Sequence, residues 1–305
     1  MKRFKTISEF LQFRQLPKPE HPLLSVLELE SVDSLSLSEP ATWVCDFYCI
    51  ALKRVANAGE VKLKYGQQTY DYDDGIMAFI SPNQVLSLSV DKRAVQLKQS
   101  GWMLLIHPDF LWNTPLATTI RQYDFWDYSV NEALFLSEKE EALLVNIMRN
   151  IRQEYHSTID KFSKSIIISH LETLLNYADR FYHRQFITRE KSSHQILERL
   201  DSLLNNYFGN RDLISTGLPK VGYIAESLNL SPKYLSSLLK VLTGQNTQQH
   251  IHEKLIEKAK EKLSTSELTV SEIAYELGFE HLQSFSKLFK TKTNQSPLAF
   301  RASFQ

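Results

Sequence analysis

Hydrophobic and polar residues form short, partly alternating runs in the first part of the chain. Between residues 24 and 106, segments such as WVCDFYCIAL, IMAFI and VLSLSV are rich in β-branched and aromatic residues. Turn sequences such as Asp73-Asp74-Gly75 separate them. Short strands joined by tight turns favour a β-sandwich or a small barrel, so this part is predicted to be a β-domain.

Beyond residue 107 the hydrophobic period becomes helical. Ser137 and Glu140 form a capping-box pattern, which predicts a helix from there to about Tyr155. A second helix is predicted over about 160–186, with an apolar stripe that includes Leu174. The stripe serves either the domain's own core or a second subunit, so these helices are a candidate dimer surface.

The polar stretch ITREKSS, residues 187–193, is the best linker candidate. Everything after it has a helical pattern. The prediction is therefore an α+β chain of two domains, residues 1–189 and 190–305.

Two stretches of the second domain follow one pattern. VGYIAESLNLSPKYLSSLLK and SEIAYELGFEHLQSFSKLFK each begin as an amphipathic helix with a small alanine on its buried face. Each breaks at a residue that tolerates positive φ, Asn229 or Gly278, and resumes as a second helix. Ser231-Pro232 supplies a helix start in the first copy, and Thr269 with Glu272 forms a capping box in the second.

The repeat predicts two helix-turn-helix units, at about 221–241 and about 270–291, joined by one continuous helix capped by Asn246. In such units the second helix presents its outer face to the DNA major groove. Gln, Ser and Lys on that face can bond base edges, and peripheral Lys can pair with phosphates. A plain helical bundle with a solvated charged face is the competing interpretation.

Composition and charge add two observations. The chain has 305 residues and 43% hydrophobic content, enough for two packed domains, and a net charge of zero. Residues 281–305 contain no acidic side chain but keep Lys287, Lys290, Lys292 and Arg301. Such a window indicates a polyanionic partner only if its charges share one surface.

The two cysteines, Cys45 and Cys49, are too few for a disulfide framework and are predicted to be buried free thiols. The sequence lacks the apolar core of a signal peptide and a run of about 18–20 apolar residues that would span a bilayer. The expectation is a soluble, cytoplasmic protein with no membrane partner.

The C-terminal region resembles the DNA-binding domain of the AraC/XylS family of bacterial transcriptional regulators. The resemblance is carried by SEIAYELGFEHLQSFSKLFK followed by NQSPLAFR, with EKAKEKLSTSELTV just upstream. It implies base-reading residues on both recognition helices and two lysines that contact the DNA backbone. The implied base readers are Lys233, Ser236, Ser237, His281, Gln283, Ser286 and Lys287, and the implied backbone contacts are Lys240 and Lys290. One departure is Leu255, where the family usually carries Arg.

The stretch YGQQTYDYDDGIMAFISPNQV looks like the core of the small cupin-like β-barrel found in many members of that family. The resemblance implies a barrel that binds a small-molecule effector or mediates dimerisation. The partners expected are double-stranded DNA, a second copy of the chain and RNA polymerase. Whether the protein activates or represses is left open.

Two alternatives differ in the first domain. A cupin-type metalloenzyme needs several histidines, and none occurs from residue 22 to residue 106. Since catalytic motifs are also missing, the predictions are no enzyme activity, no cofactor and no metal. Alternatively, the barrel only dimerises or docks a protein partner. Six aromatic residues could line an apolar ligand pocket, but aromatic residues on small barrels are more often plain core. The aromatic residues concerned are Tyr65, Tyr70, Tyr72, Phe79, Trp102 and Trp112.

Overall fold

The computed structural model describes residues 1–33, 41–55, 64–65, 68–69, 75–88, 98–129, 132–157, 160–188, 190–210 and 213–304. The chain divides into two compact units, Met1–Gln185 and Phe186–Gln305.

The described strands all belong to the first unit. They are β1 (Lys2–Phe4), β2 (Leu24–Asp33), β3 (Ala41–Cys45), β4 (Tyr48–Val55), β5 (Lys64–Tyr65), β6 (Gln68–Thr69), β7 (Ile76–Ile80), β8 (Val85–Leu88), β9 (Lys98–Ile106) and β10 (Leu134–Phe135). A five-stranded sheet has the order β10-β7-β4-β9-β2, a second sheet the order β1-β3-β8, and β5 pairs with β6. The pairing of β1 with β3 is parallel, and the others are antiparallel.

The core of the larger sheet centres on β4. Ile50 pairs with Phe79 on one side and with Leu104 on the other. All three side chains are buried, as expected for large apolar residues on a covered sheet face. The described strands form open sheets and no closed barrel, so the cupin-like barrel stays a prediction.

The helices of the first unit are α1 (Ile7–Phe13), α2 (Leu116–Thr119), α3 (Glu138–Tyr155) and all but the last three residues of α4 (Ser163–Thr188), with 3-10 turns at Pro108–Leu111, Ile120–Gln122 and Asp124–Asp127. The capping box of Ser137 and Glu140 at the start of α3 is confirmed. Arg184 of α4 donates to both carboxylate oxygens of Glu140, at 3.0 and 2.7 Å. This two-bond pairing fixes α4 against the first turn of α3.

The apolar stripe of α4 serves the core of its own unit, because Ile167, Leu171 and Leu174 are buried there. Among the aromatic residues of the sequence prediction, Phe79 and Trp102 are core, whereas Trp112 is exposed. Tyr70 and Tyr72 lie outside the described residues, and the side chain of Tyr65 is not described.

The second unit is helical throughout its described residues. Its helices are α5 (Glu190–Asn210), α6 (Leu213–Thr216), α7 (Val221–Ser227), α8 (Pro232–Thr243), α9 (Thr247–Thr265), α10 (Val270–Glu276), α11 (Leu282–Thr293) and α12 (Pro297–Ala302). The predicted linker at 187–193 is helical wherever the structure describes its backbone, because α4 continues to Thr188 and α5 begins at Glu190. A domain boundary near residue 190 stays a prediction.

Both cysteines are free and buried, as predicted. Burial raises the pKa of Cys45 to about 12 and that of Cys49 to about 11, so both thiols are held in the unreactive protonated form. Within the described residues, no helix combines the length and the apolar character needed to cross a membrane.

Candidate nucleic-acid interface

The first helix-turn-helix unit consists of α7 and α8. Ala225 has no exposed surface, which lets the two helices approach closely. The turn passes through Asn229 at φ 58°, and the positive φ predicted from the sequence is confirmed. Ser231 then accepts a hydrogen bond from the backbone N–H of Tyr234, and Pro232 is the first residue of α8. The turn at Asn229 ends α7, and the Ser231 cap with Pro232 starts a new helix in a changed direction.

The second helix-turn-helix unit, α10 and α11, repeats this geometry with a turn that is one residue longer. The capping box of Thr269 and Glu272 starts α10, as predicted. Gly278 occupies the turn at φ 83°. A β-carbon at this position would lie 2.9 Å from the carbonyl oxygen of Leu213 and 3.1 Å from the carbonyl carbon of Gly217. Glycine is therefore required both for its backbone conformation and for the close approach of another backbone segment.

The repeat extends one helix further than sequence reasoning placed it. Each recognition helix ends at a left-handed residue, Gly244 at φ 77° or Asn294 at φ 60°. The next helix then starts at a side-chain cap, Asn246 for α9 and Ser296 for α12. The sequence contains a signal for this third helix, since TGQN at 243–246 aligns with TNQS at 293–296. The repeating unit is thus three helices, and α9 begins in the first copy.

The joining helix α9 is a structural member of both copies. At 19 residues it is about 28 Å long. Leu255 and Ala259 are fully buried in a core that contains residues of both helix-turn-helix units. Leu255, which replaces the Arg of the resembling family, therefore has a packing role here. A shared core fixes the separation of the two units.

The predicted DNA contacts fall on the recognition helices α8 and α11 or directly before them. Their helical spacing sets most of them opposite the buried Leu235 and Leu239 of α8 and the buried Phe285 and Phe289 of α11. Exposed are Lys233, Lys240, His281, Gln283, Lys287 and Lys290, while Ser236, Ser237 and Ser286 are half-buried.

The two equivalent serines differ in their partners. Ser236 Oγ lies 2.9 Å from Oγ1 of Thr247, which is fully buried at the start of α9. In the second copy Pro297 takes the place of Thr247 and offers no hydroxyl. Among the described residues Ser286 Oγ has no hydrogen-bond partner. The prediction treated both serines alike, since sequence shows neither partner.

The lysines divide into two groups by their partners. On α9, Lys258 lies 2.7 Å from Glu261, and Lys262 lies 2.6 Å from Glu276. In contrast, Lys240, Lys287 and Lys290 form no ion pair with any residue that the structure describes. Three of the four lysines of α9, Lys254, Lys258 and Lys262, are thus ion-paired, and the ammonium group of Lys260 lies over the ring of Phe300. The charges of Lys240, Lys287 and Lys290 are left uncompensated on the recognition helices, where an external anion can approach them.

The N-terminal compact unit, Met1–Gln185, contains a cavity of about 380 Å³ beside the larger sheet. It is lined by the chain before β2, the 3-10 turn at 108–111, and the facing ends of α3 and α4. His21, Phe110, Tyr155 and Ile167 are among its lining residues. Burial, and secondarily the charge of Lys164, lowers the pKa of His21 and favours its neutral ring. In the part of the chain that the structure describes, no group of His, Cys, Asp and Glu is arranged to hold a metal ion.

Comparison with known proteins identifies the helical unit. A family described as a helix-turn-helix domain matches residues 224–303. A transcriptional regulator encoded in the cgkA 5′ region of Pseudoalteromonas carrageenovora is 33% identical over 100 residues, which are 33% of this chain and 54% of that protein. The transcriptional activator RhaS of Escherichia coli O139:H28 is 37% identical over 78 residues, 26% of this chain and 28% of RhaS.

Among solved structures, the C-terminal domain of the two-component response regulator yesN from Fusobacterium nucleatum is 33% identical. That match covers 33% of this chain and 96% of that domain, with a TM-score of 0.29. The chain spans about half the length, or less, of the full-length relatives it matches. These relatives are named as regulators, in agreement with the prediction that the chain is not an enzyme. The C-terminal region is an AraC-type helix-turn-helix domain, as its sequence predicts.

Proposed function

We propose that the chain is a sequence-specific DNA-binding transcriptional regulator whose two recognition helices enter the major groove of one DNA duplex. The observation that carries this proposal is the division of the lysines described above. Charges that serve only solubility or helix stability are commonly paired along a helix, as on α9. Charges left unpaired on the outer faces of both α8 and α11 fit phosphate binding.

Within this proposal the side chains have separate roles. Gln283 and Lys287 read base edges, since an amide can pair with adenine and an ammonium group can pair with guanine. His281, Ser286, Lys233 and Ser237 are further candidates for base contacts. Lys240 and Lys290 lie one turn further along their helices and contact the phosphate backbone. Ser236, whose hydroxyl is paired with Thr247, acts by holding α8 against α9.

The role of the first unit is a separate part of the proposal. A cavity of about 380 Å³ is within the size range of small-molecule sites and supports control by an effector. The second candidate is a cupin-like unit that only dimerises or docks a protein partner. The exposed Ile166 on α4 and exposed Trp112 favour that alternative. Contact with RNA polymerase stays a prediction.

The test of DNA binding is fluorescence anisotropy of the full chain with DNA from upstream of its own gene, across a salt series with scrambled competitor. Lys287→Ala should weaken specific binding by about 1–3 kcal/mol and relax the base preference at one position. Lys290→Ala should weaken binding to all sequences alike and lower the salt slope by about 1. Lys258→Ala, which removes an ion-paired lysine of α9, is the matched control. It should leave the affinity for specific DNA and the salt slope unchanged. Equal effects of Lys287→Ala and Lys258→Ala would refute the assignment.

The effector is tested with a variant that fills the cavity. Small molecules are screened by their effect on the melting temperature of the first unit and on DNA binding. Ile167→Trp should abolish any response that depends on the cavity while the DNA-binding unit stays folded. A response that survives this variant would place the effector elsewhere.

A further inference from the structure

The second recognition helix begins with a large apolar side chain that is partly exposed. Leu282, the first residue of α11, is 37% exposed. Both recognition helices are fully described, and no other large apolar side chain on either of them is exposed. Leu282 is three residues before Phe285 and seven before Phe289, both fully buried, so it continues the apolar stripe of α11 at the end where that stripe meets solvent. Its exposed part is available to a ligand.

Local helix stability does not account for this leucine. The first turn of a helix favours acidic side chains, which interact well with the helix dipole, and proline, as at Pro232 of the matching helix. Leucine supplies neither advantage. Its neighbours are the exposed His281 and Gln283, and Ser286 lies one turn further along the same side. Leu282 thus lies at the edge of the polar face that carries the proposed base contacts.

On the major-groove edges of the four bases, the 5-methyl group of thymine is the only apolar group. We infer that Leu282 reads a thymine by packing against this methyl group. The inference rests on the proposed function and adds a residue that specifies a T·A pair through apolar contact. Gln283 would read the neighbouring base pair through hydrogen bonds. The second helix-turn-helix unit would then combine apolar contact and hydrogen bonding to base edges within one helical turn.

The experiment uses the DNA duplex that the full-length chain selects from a random pool. Each thymine of that duplex is replaced in turn by deoxyuridine, which removes only the methyl group. Binding is measured by anisotropy for the unmodified chain, for Leu282→Ala and for Leu298→Ala. Leu298 is the matched control, because it is also an exposed leucine, on α12 outside the recognition helices.

At one thymine, loss of the methyl group should weaken binding of the unmodified chain by about three- to tenfold. The same replacement should leave Leu282→Ala almost unaffected, whereas Leu298→Ala should behave like the unmodified chain. The inference is overturned if no thymine methyl matters to the unmodified chain, or if Leu282→Ala and the unmodified chain lose equally at each position. Measurements on the unmodified chain alone can give the first of these results, so the test does not depend on the variant folding. If the pool yields no selected sequence, the proposed function fails and this inference fails with it.

Discussion

Replacing Gly278 by alanine tests whether the turn of the second helix-turn-helix unit depends on this one residue. The left-handed conformation at φ 83° costs an alanine about 1–2 kcal/mol. In addition, the new β-carbon would lie 2.9 Å from the carbonyl oxygen of Leu213. Relieving that contact requires a backbone shift, and overpacking of this kind costs about 1–3 kcal/mol. The two terms together predict that Gly278→Ala destabilises the second helix-turn-helix unit by about 2–5 kcal/mol.

Gly244 provides a matched control. It has a similar conformation, φ 77°, but a β-carbon there meets nothing within 4 Å. Gly244→Ala should therefore cost only the conformational part, about 1–2 kcal/mol. All four tryptophans lie in the first unit, so their fluorescence does not report on this region. Native-state hydrogen exchange of the amides of α10 and α11 measures the local opening free energy directly. Equal losses in the two variants would show that the close approach at Gly278 contributes nothing, and the packing argument would fail.

Three further predictions follow from side-chain contacts. Ser236→Ala should destabilise the helical unit Phe186–Gln305 by about 1–3 kcal/mol, because it leaves the buried hydroxyl of Thr247 without this partner. It should leave base preference unchanged, and a changed preference in selection experiments would contradict the positioning role. Cys45 and Cys49, with raised pKa values, should resist a thiol reagent at pH 8 in the native protein and react on unfolding; rapid labelling of the native chain would show that one thiol is accessible. Hydrogen bonds from the backbone N–H and the hydroxyl of Thr269 lower the pKa of Glu272. The stabilisation from Glu272 is therefore present above the ordinary glutamate pKa and is lost as the pH falls through the lower pKa of the folded state. Thr269→Ala should raise the pKa of Glu272 in an NMR titration, and an unchanged pKa would rule out a contribution from the hydroxyl.

The parts of the fold that the sequence predicted well depend on interactions between residues close together in the chain. The capping boxes at Ser137 and Thr269, and the proline start of α8, need only a few consecutive residues. The positive φ of Asn229 and Gly278 is similarly local, because few residue types accept it. The repeat added long-range information, since two copies of one pattern imply two copies of one geometry.

The predictions that failed or stayed open depend on contacts between distant residues. A polar stretch such as 187–193 has the composition of a linker and of an exposed helix end alike, so composition alone could not separate them. Closure of a barrel is decided by which strand edges meet, and strand patterns do not record that. The pairing of Ser236 with Thr247 joins two helices across a turn. The repeat did contain a signal for it, since Thr247 is matched by Pro297 in the second copy.

The same difference between the copies bears on how the two units divide the work of recognition. In the first copy a hydroxyl of the recognition helix is used within the protein, which strengthens the packing of α8 against α9. In the second copy the matching Ser286 has no such partner among the described residues, and Gln283, Lys287 and Leu282 extend the set of chemically distinct groups on α11. Because α9 is shared by both copies, anchoring α8 to it also sets the position of α11 relative to α8. We therefore expect the first helix-turn-helix unit to contribute affinity and register, and the second helix-turn-helix unit to contribute most of the base preference. Exchanging the exposed residues of α8 for those of α11 would test this: selected sites should then contain the second unit's base pattern twice, about one helical turn apart. Sites that keep the original pattern at the first position would refute the division.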